Sequence, residues 1–186
     1  MFKKVQTGFI LFLSILFLLS GNAISSDKKQ IRTLKKEAQQ GDPAAQNELG
    51  VIYRNGDGLP VNYVEALKWF KKAAEQNDAK AQNNLGVMYL NGDGVPQNYQ
   101  EAIQWFTKAA EKGHDSAQFN LGIVHEQGKG VPENITEAYV WYSLAAAQGH
   151  KDAKHNLLVL EPKLTRKQIA ASQKKAAELW EKYTKN

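Results

Sequence analysis

Apolar residues recur along most of the chain at the spacing of amphipathic α-helices. In the first clear example, Ala45, Leu49 and Ile52 fall on one helical face and are separated by polar positions. A second helical pattern follows, in which Ala66 and Trp69 belong to the apolar face. The sequence therefore predicts a succession of short helices, each with one buried face.

Capping signals mark where these helices begin and end. Asp42 is a favoured N-cap and Pro43 suits the first helical position, so the first helix is predicted to begin there. The sequence Gly-Asp-Gly-Leu-Pro at residues 56–60 ends it, because the glycines accept positive φ and the proline cannot continue a helix. Asn62, with Glu65 three residues later, forms a capping-box pattern that opens the second helix.

The same pair of helices is predicted three times, in an uninterrupted 36-residue repeat. The blocks 38–73, 74–109 and 110–145 align without a gap. Columns of leucine, glycine and tryptophan define the repeat and are predicted to be structural. They comprise Leu49, Leu85 and Leu121; Gly50, Gly86 and Gly122; Gly56, Gly92 and Gly128; and Trp69, Trp105 and Trp141.

Less regular segments flank the three blocks. Residues 24–37 are predicted to form a linker and a capping helix, and residues 146–186 a partial fourth repeat followed by a terminal capping helix. Leu158 replaces the glycine of its column there, and Thr165 with Gln168 forms a capping box that opens the last helix. Atypical end units are expected, because an end repeat has a neighbour on one side only.

The first 23 residues have the layout of a secretory signal peptide. Lys3 and Lys4 precede an apolar run at residues 9–19, and small residues lead up to Ala23. The run is short for a transmembrane helix, which needs about 20 apolar residues. We therefore expect cleavage after Ala23 and export to the periplasm or the medium, without membrane insertion after cleavage. An uncleaved N-terminal anchor is the alternative.

Composition and charge exclude several classes of site. The 186 residues are 42% hydrophobic and 23% charged, which is typical of a folded chain. The absence of cysteine excludes disulfides, thiolate metal sites and a cysteine nucleophile. The formal charge of +5 falls to +3 without the signal segment, because that segment holds two lysines and no acid. This small excess is spread along the chain and the aromatics occupy core columns, so nucleic-acid binding is not expected.

The repeat resembles the Sel-one-like repeat, a relative of the tetratricopeptide repeat. The resemblance rests on residues 49–53 (LGVIY), 56–60 (GDGLP) and 65–70 (EALKWF) and on their equivalents in the other blocks. In the third block, His125 replaces the tyrosine and Lys129 replaces the turn aspartate. The resemblance implies a right-handed α-α superhelix, a solenoid, whose concave face binds a protein or peptide. It also implies a scaffold or adaptor in the bacterial envelope or in host contact, rather than an enzyme.

A calcium loop is the first chemical alternative, because aspartates stand between glycines at Asp57 and Asp93. An EF-hand loop needs glycine at its sixth position and glutamate at its twelfth. Counting from Asn55, these positions hold Pro60 and Ala66. The aspartates are therefore predicted to be turn residues.

The four histidines also lack a metal-binding pattern. His150 and His155 are five residues apart and so do not share a helix face. His114 and His150 fall at helix starts, where we expect surface caps, and His125 is part of a repeat column. We therefore expect no metal and no cofactor.

A Ser-x-x-Lys pattern, typical of penicillin-recognising enzymes, occurs at residues 26–29 and 172–175. The Ser-Asp-Asn and Lys-Thr-Gly partners of that chemistry are missing. The favoured prediction is therefore a protein that is not an enzyme. An envelope hydrolase acting on β-lactams or peptidoglycan remains the alternative.

The variable positions of the first helices are the candidate binding surface. If Ala45 and Leu49 pack inward, the stripe at Asn47, Val51 and Arg54 points toward the inner curve of the stack. The candidate partner-binding residues are Asn47, Arg54, Asn83, Leu90, Phe119 and Glu126. An exposed phenylalanine at 119 is expected to anchor the partner. We expect a monomer that binds a protein or peptide.

Overall fold

In the computed structural model, the chain forms the all-α, right-handed α-α superhelix of 36-residue helix-turn-helix repeats that the sequence predicts. The structure describes residues 28–184, so the predicted signal peptide (1–23) and its cleavage site lie outside it. The helices are α1 (residues 28–39), α2 (Pro43–Asn55), α3 (Tyr63–Glu75), α4 (Ala79–Asn91), α5 (Tyr99–Ala110), α6 (Asp115–Gln127), α7 (Ile135–Ala147), α8 (Lys151–Leu160) and α9 (Arg166–Thr184).

Helices α2, α4, α6 and α8 are the first helices of four successive repeats. Helices α3, α5 and α7 are the second helices of the first three, and α1 is the second helix of an incomplete unit before them. From α2 to α8, each helix packs on its neighbours in the chain, whereas α9 packs on α7. No helix within residues 28–184 is both long and apolar enough to cross a membrane.

The predicted caps of the first helices are confirmed. The Asp42 side chain accepts a hydrogen bond from the Ala45 backbone N–H at 2.8 Å. At the other end, Gly56 adopts φ +85°, in the left-handed region, and its N–H donates to the Ile52 carbonyl. These caps pair backbone groups that the helix ends would otherwise leave free.

The second helices use half of the predicted capping box. The Asn62 side chain accepts from the Glu65 N–H at 3.0 Å, as expected. The Asn62 N–H donates to the carbonyl of Tyr53 in the preceding helix, at 2.8 Å, rather than to the Glu65 carboxylate. Glu65 instead lies 3.5 Å from the Lys68 ammonium. The linker is therefore closed by a backbone bond that the capping pattern does not predict.

The glycine column at the middle of each first helix permits close helix packing. A Cβ added at Gly86 would lie 2.6 Å from the ring of Phe106 and 3.2 Å from the Ala102 carbonyl oxygen, both in α5. Phe106 is fully buried at this contact. Gly50 with Phe70 and Gly122 with Tyr142 repeat the arrangement. The column therefore sets the distance between the two helices of each repeat.

The tryptophan column is less uniform than its sequence. Trp69 and Trp141 are both 8% exposed and belong to the core. Trp105, in the middle repeat, is only half-buried, and the Lys108 ammonium lies 3.9 Å from its ring centroid. The middle tryptophan therefore contributes less buried surface than its equivalents.

A buried glutamine in each of the first helices α2, α4 and α6 links three helices. Gln46 donates to the Ala38 carbonyl in α1 at 3.0 Å and accepts from Gln76, just after α3, at 2.8 Å. Gln82 and Gln118 make the same two bonds one and two repeats later, with Lys112 as the donor to Gln82. This chain of bonds satisfies polar groups inside the array.

The fourth repeat ends early, as the sequence predicts. A 3-10 helix at Glu161–Lys163 follows α8, and Thr165 and Gln168 then exchange hydrogen bonds of 2.9 and 3.3 Å that open α9. Helix α9 buries Ser172 and Ala176. Since α9 covers α7, Leu158 on α8 has no second helix over it and is 68% exposed.

Candidate partner-binding surface

The structure places the predicted stripe on one side of the first helices. Asn47, Asn83 and Phe119 occupy the same register position of α2, α4 and α6, and all three are half-buried. They therefore have neighbours, which determine how much of each side chain a partner could contact.

Asparagines of adjacent first helices bond to each other across the repeats. The Asn84 amide donates to the Asn47 side-chain oxygen at 2.9 Å, and Asn120 donates to Asn83 in the same way at 2.9 Å. The Arg54 guanidinium donates to the Asn84 oxygen at 3.1 Å. Asn47, Asn83 and Arg54 thus hold successive first helices in register. Asn84 and Asn120 were missed from the sequence, although they recur in the column next to the stripe.

The column of Arg54, Leu90 and Glu126 faces the aromatic residue of each second helix. Arg54 lies 5.9 Å from the Phe70 ring centroid, and Leu90 packs half-buried against the core. Glu126 accepts a hydrogen bond of 2.6 Å from the Tyr142 hydroxyl. Burial, with the hydrogen bond to Glu126, raises the pKa of Tyr142. These side chains therefore have partners within the chain.

Phe119 is not the exposed anchor expected from the sequence. It is half-buried, and its ring stacks on that of His150 with centroids 4.4 Å apart and planes at 21°. The Tyr142 ring lies 5.6 Å away. Phe119 fills the contact between the third and fourth repeats, where the earlier repeats use paired asparagines. Only part of the ring is left to contact a partner.

An open groove of about 540 Å³ runs beside this stripe, across the starts of three first helices. It includes Asn47 and Val51 of the predicted stripe, and six residues that sequence reasoning missed. Its lining comprises Ala44, Asn47, Glu48, Val51, Asp78, Ala79, Lys80 and His114. Apart from Glu48, which lies in the second turn of α2, the added residues lie in the first turns of the helices or just before them, where charged and small side chains look like ordinary solvated surface.

The groove carries both signs of charge. Glu48 and Lys80 are exposed, whereas Asp78 is half-buried and caps α4 by accepting from the Ala81 N–H at 2.7 Å. His114 caps α6 through Nδ1, which accepts from the Ala117 N–H at 3.3 Å. Burial lowers the pKa of His114, which favours the neutral ring that this bond requires.

The remaining chemical candidates have structural roles. Asp57 accepts from the Asn55 amide at 3.1 Å within its turn, and His150 caps α8 as His114 caps α6. Within residues 28–184, no group of three or more histidine and acidic side chains could hold a metal ion.

The Ser-x-x-Lys pair at Ser172 and Lys175 serves helix packing. Ser172 is 4% exposed and its hydroxyl donates to the Thr136 carbonyl in α7 at 3.2 Å. Lys175 forms a 2.6 Å ion pair with Glu137. The hydroxyl is therefore turned toward α7. The other match, at residues 26–29, lies partly outside the described residues.

Solved structures with the same architecture share substantial sequence identity with this chain. A protective antigen present in uropathogenic Escherichia coli strains, which displays an SLR fold, is 36% identical, with a TM-score of 0.78 over 84% of this chain and 33% of its own. A Sel1 repeat protein from Oxalobacter formigenes is 38% identical, with a TM-score of 0.63 over 75% of this chain and 57% of its own. This chain therefore spans about one third and somewhat over half of these two relatives.

A third similar structure is the cysteine rich protein B of Helicobacter pylori. It is 27% identical, with a TM-score of 0.56 over 68% of this chain and 96% of its own. No curated protein sequence matches this one significantly.

Three consecutive segments match the Sel1 repeat: residues 43–78, 79–114 and 115–150. Each has the 36-residue period and begins at a first helix, five residues after the corresponding block boundary drawn from the sequence. Together the segments cover more than half of the chain, which therefore belongs to the Sel1 repeat family.

Proposed function

We propose that the protein is an exported scaffold that binds a peptide segment of a partner protein in the groove along its first helices. Sel1-repeat proteins generally act as protein-interaction scaffolds, and proteins with this fold are typically not enzymes. The observation that carries the proposal is the groove of about 540 Å³ beside Asn47 and Val51. It crosses three repeats, so an elongated ligand would contact several of them at once.

The dimensions of the groove favour an extended peptide. Adjacent packed helices are about 10 Å apart, so three first helices span about 20 Å. An extended chain advances about 3.3 Å per residue, which corresponds to about six residues across the groove. Ala44, Val51 and Ala79 supply apolar contact, and Glu48 and Lys80 supply charges at the rim. A short segment with alternating apolar and charged side chains fits this lining.

Charge reversal at the rim tests the groove without disturbing the core. In the fragment 24–186, which contains all the described helices, Glu48→Lys with Lys80→Glu should abolish recovery of the partner from envelope extracts. The matched control exchanges the same charges on the second helix α3, as Lys71→Glu with Glu75→Lys, since all four residues are exposed. The control should recover the partner as wild type does. Equal recovery by both variants would refute the groove.

The residues first predicted from the sequence provide a second comparison. Phe119→Ala with Arg54→Ala should reduce thermal stability as well as partner recovery, because both side chains bond or stack within the array. The rim variants should reduce recovery only. A stability loss in both sets would mean that the binding effect comes from unfolding.

Export is proposed from the N-terminal sequence. Lys3 and Lys4, the apolar run 9–19 and the small residues before Ile24 support it. A protective antigen among the relatives adds support, since antibodies reach proteins outside the cytoplasm. Mass spectrometry of the protein from a periplasmic fraction should give a chain that begins at Ile24. An intact Met1 in the cytoplasmic fraction would contradict export.

Hydrolase chemistry has less support than binding. Its best candidate nucleophile, Ser172, is buried and bonded to a backbone carbonyl. A β-lactam or peptidoglycan hydrolysis activity that disappeared in Ser172→Ala would establish it. We expect no turnover by wild type.

A further inference from the structure

Charge is distributed unevenly between the first described helix and the array that follows. Helix α1 (residues 28–39) has five basic residues and one acid, whereas residues 40–165 have 11 basic and 15 acidic residues. Residues 40–165 would be repelled by an anionic surface that attracts α1, whereas α9, at the other end of the array, has five basic and two acidic residues. Such an asymmetry orients a protein on a charged surface.

The cations of α1 lie on one face of the helix. At 100° per residue, Lys28, Lys29, Arg32, Lys35 and Lys36 fall within an arc of about 120°. The arc lies beside the apolar stripe of α1 that packs on α2. All but Lys35, which lies over the Tyr53 ring, are exposed.

These cations form no ion pairs within the described residues, although Lys29 lines an open cavity together with Glu37 and Glu48. Among residues 28–184 the ion pairs involve lysines 68, 174 and 175, and none includes a cation of α1. One repeat later, Lys68, Lys71 and Lys72 extend the basic face onto α3. The basic face ends at α3. At the same positions, α5 has one lysine and α7 has no lysine.

Exposed valines lie at the same edge of the array. Val64 occupies in α3 the position that Lys28 occupies in α1, one 36-residue repeat earlier, and is 65% exposed. Val61 is 52% exposed. The linker that contains it contacts α1 close to its start, since a Cβ at Gly58 would lie 2.7 Å from Ile31 Cδ1. The first residues of α1 and α3 therefore combine unpaired cations with exposed apolar side chains.

We propose that this basic edge, defined as Lys28, Lys29, Arg32, Lys36, Val61 and Val64, binds the surface of an anionic lipid bilayer. Lysine and arginine near such a surface are attracted to its phosphates, and apolar side chains beside them enter the headgroup region. The valines favour a bilayer over a soluble polyanion, because a phosphate polymer offers apolar side chains no partner.

The later repeats provide a matched variant for the apolar part of the edge. The positions of Val61 and Val64 hold Gln97 and Gln100 in the second repeat. Val61→Gln with Val64→Gln therefore copies a sequence that already folds in this array. A charge-matched control for α1 is also available, since Lys151, Lys154, Lys163 and Lys167 are exposed cations at the opposite end.

The test measures cosedimentation of fragment 24–186 with vesicles, because the apolar run 9–19 would otherwise bind lipid in every variant. Wild type should bind vesicles of equal parts phosphatidylglycerol and phosphatidylcholine, and not phosphatidylcholine alone. Replacing Lys28, Lys29, Arg32 and Lys36 with glutamine should weaken vesicle binding by about 100-fold or more in total. Each of the four cations is expected to contribute a factor of about ten or less. The valine variant should weaken it by about 10-fold.

Replacing the four control lysines with glutamine should leave vesicle binding within twofold of wild type. Equal weakening by the α1 variant and the control would show a general charge effect and overturn the proposal. A valine variant that binds as wild type does, together with equally tight binding of wild type to polyphosphate or single-stranded DNA, would identify a polyanion site and also overturn it. Circular dichroism of each variant should match wild type.

Discussion

In the second repeat, Lys108 of helix α5 and Glu111 just after it are exposed; in the third, the same positions of α7 hold Leu144 and Ala147. The reason is the neighbour of each helix. Helix α9 packs on α7 and buries Leu144, whereas the equivalent Lys108 on α5 stays exposed. Because both repeats have the same helices and linkers, the comparison separates residues that define the repeat from residues that respond to what covers it.

The contact between the two helices of a repeat differs in a similar way. Phe106 packs over Gly86 in the second repeat, and Tyr142 packs over Gly122 in the third. The tyrosine adds a hydroxyl to a buried site, and Glu126 accepts its hydrogen bond where the second repeat has Leu90. A polar change in one helix is thus matched by a polar change in the other.

The largest expected effect is on the tryptophan column. Trp141→Ala should lower the free energy of unfolding by about 3–5 kcal/mol, since the side chain is 8% exposed. Trp105→Ala should cost less, because that ring is half-buried and partly covered by Lys108. Urea unfolding followed by circular dichroism measures both. Equal losses of unfolding free energy in the two variants would mean that the exposure of a tryptophan in this column does not determine its contribution to stability.

Next in size is the glycine column. Gly86→Ala should destabilise by about 1–3 kcal/mol despite the better helix propensity of alanine, because its Cβ would overlap Phe106. Leu158→Ala, at the same column of α8, should change stability by less than about 0.5 kcal/mol, because no second helix covers that position. A neutral Gly86→Ala would show that the two helices can move apart freely.

A smaller effect is expected for the paired polar change in the third repeat. Tyr142→Phe should cost about 1.5 kcal/mol, because Glu126 loses its buried donor. The double variant Tyr142→Phe with Glu126→Leu copies the second repeat, and should recover most of that loss. A double-mutant cycle of unfolding free energies gives the coupling. If the effects of the two single substitutions on the unfolding free energy simply added, the two polar residues would not be coupled, which would contradict the interpretation that one compensates for the other.

The smallest effect concerns the helix caps, which are Asp78 in the second repeat and His114 in the third. Burial lowers the folded pKa of His114, and nearby Asp115 and Asp78 oppose this shift only in part. The unfolded histidine, with a pKa of about 6.5, therefore takes up a proton more readily than the folded one. Its contribution to stability is complete above pH 6.5 and is lost as the pH falls from there toward the folded pKa.

His114→Asp should remove part of this loss near pH 5, because aspartate caps a helix as an anion. Burial also lowers the pKa of His125, so part of the pH dependence should remain. Thermal unfolding of both proteins between pH 5 and pH 8 measures the difference. His155→Asp, at an exposed position, is the control and should keep the full slope. If the stability of His114→Asp depended on pH as steeply as that of wild type, the His114 cap would be excluded as a source of the pH dependence.

The helices were predictable from the sequence because their boundaries depend on local chemistry. Asp42, Gly56 and Asn62 cap where the pattern places them, since each bonds to backbone within a few residues. Contacts between repeats were not predictable in this way. Asn84 bonds to Asn47 across 37 residues, and no local signal distinguishes that amide from one in solvent.

The candidate site shows the same limit. Periodicity identified the side of the first helices on which Asn47 and Val51 lie, and the groove is there. It did not show that Glu126 would be held by a tyrosine, or that Phe119 would stack on His150. Variation between repeats suggested binding, whereas part of it compensates for changes in the adjacent helix.

The buried glutamines have a consequence for how such arrays lengthen in evolution. Gln82 and Gln118 each donate to the preceding repeat and accept from the end of their own. A gene duplication or deletion of one 36-residue unit therefore recreates the same bonds at the new junction and leaves no buried amide unpaired. Array length can therefore change in whole units.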